Sequence, residues 1–159
     1  QGTYRDADAA WDYLVKDRKT PPGEILVWGR SLGGSIAART AARHPAGLLI
    51  IESAFVSIRE LARERFSWVP AWVLDGYVYD TREELLKVGI PVLVIPSPDD
   101  EIIPFRHGKV LYGSLRGPRS FVEIKGSHNQ GFIQSGKVYE SGIDEFISAY
   151  LVAKESTSP

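Results

Sequence analysis

At 159 residues, 43% of them apolar and 25% charged, the chain has the length and composition of one water-soluble globular domain with a sizeable buried core. A formal net charge of −1 gives no electrostatic attraction toward nucleic acid or an anionic membrane, and no apolar run reaches the length of a membrane span. With no cysteine there is no disulfide, no thiolate metal ligand and no thiol nucleophile; three scattered histidines make no zinc pattern, so neither a metal nor a cofactor is implied.

Apolar residues Ala7, Ala10, Trp11, Leu14 and Val15 recur at helical spacing and predict a helix over residues 3–17, broken by Thr20-Pro21-Pro22-Gly23. A strand over 25–28 then enters Gly29-Arg30-Ser31-Leu32-Gly33, and an alanine-rich helix over 32–43 leaves it, ended by His44-Pro45. The apolar run 48–51, short and bounded by turn residues, reads as a buried parallel strand. Residues 53–80 are irregular, aromatic and helical in patches, and are expected to form a cap-like insertion. A short helix over 81–88 and a strand over 92–95 between two prolines follow. A helix over 105–112, a strand over 121–124 and a closing helix over 137–152 complete the domain, and residues 154–159 read as a frayed tail. Because the sequence begins at Gln1 and contains no methionine, it reads as a processed or partial chain.

Strand and helix alternate throughout, which predicts an α/β three-layer sandwich around a short parallel sheet of about four strands, in a single domain over 1–159. Ligands of such sheets bind at the carboxyl ends of the strands. Three chemically suggestive positions share that rim. Ser31 sits where a strand reverses into a helix within a few residues, a turn that strains the serine backbone and pushes Oγ out of the sheet. Gly29 and Gly33 are expected to be glycine because side chains there would collide with the neighbouring strand and helix. The amide of Leu32, opening the helix, points to where an oxyanion would form.

A serine hydroxyl needs an imidazole to take its proton and a carboxylate to hold that imidazole in the right tautomer. In folds of this kind the order along the chain is serine, acid, histidine. His128 follows the last strand in the small-residue loop Lys125-Gly126-Ser127-His128-Asn129. His44, at a helix end, and His107, on what reads as a surface helix, are structural. The acid lies in Asp99-Asp100-Glu101, where adjacency alone does not choose.

Gly29-Arg30-Ser31-Leu32-Gly33-Gly34, Ile51-Glu52-Ser53-Ala54-Phe55, and Pro91-Val92-Leu93-Val94-Ile95 leading to Asp100-Glu101-Ile102-Ile103-Pro104 resemble the α/β-hydrolase superfamily. Within it they are most similar to the bud-emergence-homologue group of serine hydrolases. Asp6-Ala7, Ala9-Ala10 and Tyr13-Leu14 also resemble the helix before the elbow strand in that group. The resemblance implies a catalytic triad of Ser31, Asp100 and His128, the acid standing four residues before Pro104. It also implies an oxyanion hole to which Leu32 contributes one N–H. Four strands that usually precede the first helix are missing, so the fold reads as truncated, without the loop that supplies a second oxyanion donor. Pro96-Ser97 stands where the family often has His-Gly.

The expected function is a serine carboxylesterase on short- to medium-chain esters, working through an acyl-enzyme, with the aromatics of 53–80 as acyl pocket. A thioesterase or peptidase is also compatible, and a non-catalytic fragment or interaction module is the alternative from another class. The strand over 25–28, deprived of its usual neighbours, is expected to be covered in a homo-oligomer.

Overall fold

Leu48, Leu49, Ile50 and Ile51 are each at most 1% exposed, as a strand covered on both faces requires, and the rest of the molecule is arranged around them. The computed structural model describes residues 2–65, 68, 73 and 79–152, with the backbone alone at 151 and 152. Its strands are β1 (Leu26–Arg30), β2 (Leu48–Glu52), β3 (Val92–Ile95) and β4 (Arg119–Phe121). They form one parallel sheet in the order β1-β2-β3-β4, as the alternating pattern predicts. The register sets Val27 beside Leu49, Ile51 beside Val94 and Val94 beside Phe121.

Side chains alternate along each strand, so the apolar runs split between two cores. Leu49, Ile51, Val92 and Val94 face helices α2 (Leu32–Arg43), α4 (Thr81–Leu85) and α5 (Phe105–Ser114), meeting Ala37, Ala38, Leu85 and Leu111. Leu48, Ile50, Leu93 and Ile95 point the other way, onto Ile143 and Phe146 of α7 (Lys137–Ile147). These are the three layers. Helix α1 (Gly2–Asp12) continues as a π-turn over Tyr13–Asp17 and buries Trp11 against Ile25 and Ala46. His44 closes α2, stacks on Trp11 at 4.7 Å and meets Asp8 Oδ1 at 3.1 Å, which ties α2 to α1.

Three expectations shift. The last strand pairs over Arg119–Phe121 rather than 121–124, although Val122 and Ile124 still donate to the Val94 and Pro96 carbonyls and carry the alignment forward. A short helix α6 (Gly131–Ser135), too brief to leave a periodic signal, follows the histidine loop. His107 is fully buried rather than on a surface: Nδ1 accepts from the Val56 amide and Nε2 stands 3.1 Å from Glu64. Of the expected aromatic insertion, helix α3 (Ile58–Arg65) and the Ser57–Asp80 bridge are seen. Most of 66–78, and the expected tail, lie outside the described residues.

Among the described residues β1 pairs on one side only, with β2. Beside it runs an apolar groove of about 330 Å³, bounded by α1, β1 and α2 and lined by Trp11, Leu14, Trp28, Gly33 and Ile36.

Candidate active site

All four strands end on one rim, and the connections there carry the residues of interest. Ser31 follows β1 directly, with φ 55° and ψ −123°, a region that L-residues avoid at a cost of roughly 1–3 kcal/mol. The strain is set by packing. A Cβ on Gly29 would stand 2.1 Å from the Gly33 carbonyl oxygen and 2.6 Å from Ala37 Cβ, so β1 and α2 approach this closely only across a glycine. Gly33 does not share that role: a Cβ there meets nothing within 4 Å. The second required glycine is Gly34, whose added Cβ would lie 2.5 Å from Ala54 Cβ, where α2 crosses the chain leaving β2. The collision expected at Gly33 thus belongs one residue later. The Ser31 amide donates to the Glu52 carbonyl, which anchors the turn to β2. Leu32 opens α2, and the first amides of a helix have no partner within it.

Across the rim, β3 leads into 96–104 and β4 into 125–130, and polar contacts join these two loops repeatedly. Ser97 Oγ donates to the Gly126 carbonyl at 2.6 Å and accepts from the Asp99 amide. Asp99 Oδ2 accepts from the Gly126 amide at 3.0 Å. Gly126, at φ 101°, makes the bend that allows both. Asp100 Oδ1 accepts from the amides of Ile102 and Ile103, leaving Oδ2 for His128 Nδ1 at 2.7 Å. Glu101 Oε2 takes the His128 backbone amide at 2.9 Å, and that hydrogen bond holds its carboxyl below the usual carboxylate range. Each of the three adjacent acids therefore has its own task, and Asp100 is the one on the imidazole. Both members of that pair are buried, Asp100 at 5% and His128 at 7% exposed.

Ser31 makes no hydrogen bond to His128 among the described residues. The elbow and the histidine loop are joined through the neighbouring residue: an Arg30 Nη2–H donates to the His128 carbonyl and to Asn129 Oδ1. Arg30 Nε lies 3.5 Å from Glu52 Oε1, and Glu52, 3% exposed, accepts from Trp28 Nε1 and Tyr139 Oη. Arg30 and Glu52 stand in the stretches that carry the family resemblance, but the sequence assigns neither a role, and Ser97 stands out there only as a departure from the family pattern. Glu52 did carry a signal, as a carboxylate closing a run of four apolar residues. Of the described residues, no cluster of three or more His, Cys, Asp or Glu could hold a metal ion.

No family model matches the chain. The alpha/beta hydrolase domain-containing protein WAV2 of Arabidopsis thaliana is 30% identical over 174 residues, taking in 97% of this chain and 56% of that protein. Lysophosphatidylserine lipase ABHD12 of Macaca fascicularis is 27% identical over 143 residues, 79% of this chain and 35% of its own length. Among solved structures, the esterase domain of a Rhodothermus marinus protein aligns with a TM-score of 0.70 at 18% identity, over 92% of this chain and 69% of that one. The chain is related to the α/β-hydrolase superfamily and has its fold. It spans about half the length of the curated relatives it matches.

Proposed function

We propose that the rim is the catalytic centre of a serine carboxylesterase acting on short- to medium-chain esters, related to the bud-emergence-homologue group. The observation that carries this reading is the buried Asp100–His128 pair, 2.7 Å apart, on the same sheet rim as a serine held at positive φ. With Asp100 on Nδ1–H, Nε2 is left as the base. Ser31 Oγ attacks the acyl carbon while His128 Nε2 takes its proton. The oxyanion forms against the Leu32 N–H. The C–O bond to the alcohol then breaks, and the alcohol leaves with the proton returned by His128. Water, deprotonated by the same nitrogen, releases the acid from Ser31. An oxyanion donor is worth about a hundred- to a thousandfold in rate, and esters with good leaving groups depend on it least. Exposed apolar side chains close in sequence to the triad (Leu32, Ile102, Phe132 and Ile133) support an apolar acyl chain.

Fluorophosphonate labelling together with a p-nitrophenyl ester chain-length series tests this. Wild type is labelled at Ser31, hydrolysis peaks at short to medium chains, and Ser31→Ala and His128→Ala abolish it. An unlabelled wild type would favour the non-catalytic module instead, while labelling with preference for thioesters or peptides would shift the substrate class.

The same proposal includes a partner. The unpaired edge of β1 and the groove beside it suit a second copy of this chain, because a two-fold axis would pair β1 with its equivalent and close both edges. Light scattering is expected to give a dimer at micromolar concentration and a monomer for Leu14→Glu, which places a carboxylate in the groove. A monomeric wild type would sink this part of the proposal.

A further inference from the structure

Glu52 is a costly residue to place where it is. A buried carboxylate is tolerated only with partners, and this one has three, drawn from two elements: Trp28 of β1 donates at 3.2 Å, Tyr139 of α7 donates at 2.9 Å, and Arg30 Nε, also of β1, lies 3.5 Å away. Burial first, and then the Glu52 charge, push the Tyr139 hydroxyl up, so it keeps the proton it donates. The Glu52 carboxylate faces one end of the Arg30 guanidinium as its ion-pair partner. The other end reaches the histidine loop, where it donates to the His128 carbonyl and to Asn129 Oδ1, with Phe132 5.8 Å beneath it.

We infer that Arg30, braced by Glu52, is a positioning residue that sets the distance between the histidine loop and the elbow serine. The inference rests on the catalytic reading of Ser31 and His128. Three groups hold His128: Asp100 grips the ring, Glu101 the amide, and Arg30 the carbonyl. The first two come from the acid loop and move with it. Arg30 alone of the three stands on β1, next to Ser31, so its contact refers the imidazole to the nucleophile. Displacing a reacting group by about 1 Å can cost a hundredfold in rate. Losing Arg30 therefore leaves the Asp100–His128 pair intact while the loop drifts from the serine.

Four variants and two readouts test it. In Arg30→Met and Glu52→Gln, kcat falls by roughly tenfold to a hundredfold with KM nearly unchanged. The double variant is no slower than the slower single, because both act through one contact. Arg30→Lys recovers part of the rate, since a single ammonium serves Glu52 or the carbonyl but not both. Hydrogen exchange of the peptide over 126–132 quickens in the first three, whether or not the protein turns over ester. Unchanged exchange in Arg30→Met overturns the inference, as does wild-type kcat in that variant or multiplicative losses in the double. Faster exchange in Arg30→Met, together with a wild type that fluorophosphonate does not label, would leave the clamp standing and remove the catalytic reading instead.

Discussion

Replacing Gly29 and Gly33 separately by alanine isolates the packing that creates the elbow. At Gly29 the new methyl would stand 2.1 Å from the Gly33 carbonyl oxygen, 2.5 Å from its carbon and 2.6 Å from Ala37 Cβ. Ordinary contact begins near 3.4 Å, so β1 and α2 must separate by more than 1 Å, and two of the three obstacles are backbone. Overpacking a core costs roughly 1–3 kcal/mol where side chains can yield, and here they cannot, so the cost is at the top of that range, about 3 kcal/mol. For a domain of this size each kcal/mol moves the melting temperature by roughly 2–4 °C, which gives a fall of about 6–12 °C. At Gly33 nothing lies within 4 Å, and alanine is the better helix former, so Gly33→Ala is neutral or more stable by up to about 1 kcal/mol. Thermal melts at sub-micromolar protein, with coincident probes to establish two-state behaviour, read the contrast directly. Equal losses at the two positions, or a larger loss at Gly33, would refute the assignment of the elbow strain to Gly29.

Two further outcomes follow from the loops and from α5. Asp100→Asn lowers kcat by about 10³- to 10⁴-fold by presenting the imidazole in the wrong tautomer. Its melting temperature stays near wild type, because the amide oxygen can still accept from Ile102 and Ile103; a fully active variant would point to another acid. Burial, and next the charge of Arg106, hold the His107 imidazole below its ordinary 6.5, so the folded protein keeps the ring neutral while the unfolded chain protonates it. Stability from this group is complete above about pH 6.5 and declines as the pH falls below it, since there the unfolded state binds more protons. Urea midpoints between pH 7.5 and 5.5 are expected to fall more steeply for wild type than for His107→Asn. Parallel slopes would show that His107 is not the group responsible.

The sheet was legible because its strands are buried on both faces and read as unbroken apolar runs between turn residues: helix 32–43 and strand 92–95 coincide with α2 and β3. The motif around Ser31 was legible for the same local reason, a strand feeding a helix through glycine. It misled at Gly33, because the pattern names a spacing and packing decides which glycine faces a neighbour. Asp100 over Asp99 and Glu101 came from resemblance, since each of three adjacent carboxylates finds a different amide or ring nitrogen only once β3 and β4 are aligned. Arg30 and Glu52 lie 22 residues apart, and the contact between them depends on the β1–β2 register, which pairs them directly. No local signature encodes that pairing.

The distribution of these contacts has a consequence for how the site works. Ser97, Asp99, Asp100 and Glu101 all bond to residues 126–128, so the acid and histidine loops form one cross-linked body. The serine belongs to another, the β1–α2 turn closed by Gly29 and anchored through the Glu52 carbonyl. Among the described residues, side-chain hydrogen bonds between these bodies run through Arg30. Geometry within the acid–histidine pair is therefore over-determined, whereas between the pair and the proposed nucleophile the backbone of the sheet is supplemented by one guanidinium. Substitutions in the acid loop should accordingly be buffered by neighbouring bonds, and those at Arg30 or Glu52 should not. On the proposed reading of the site, catalytic rate is then expected to track the junction between β1 and β2 more closely than the stability of the loops that carry Asp100 and His128.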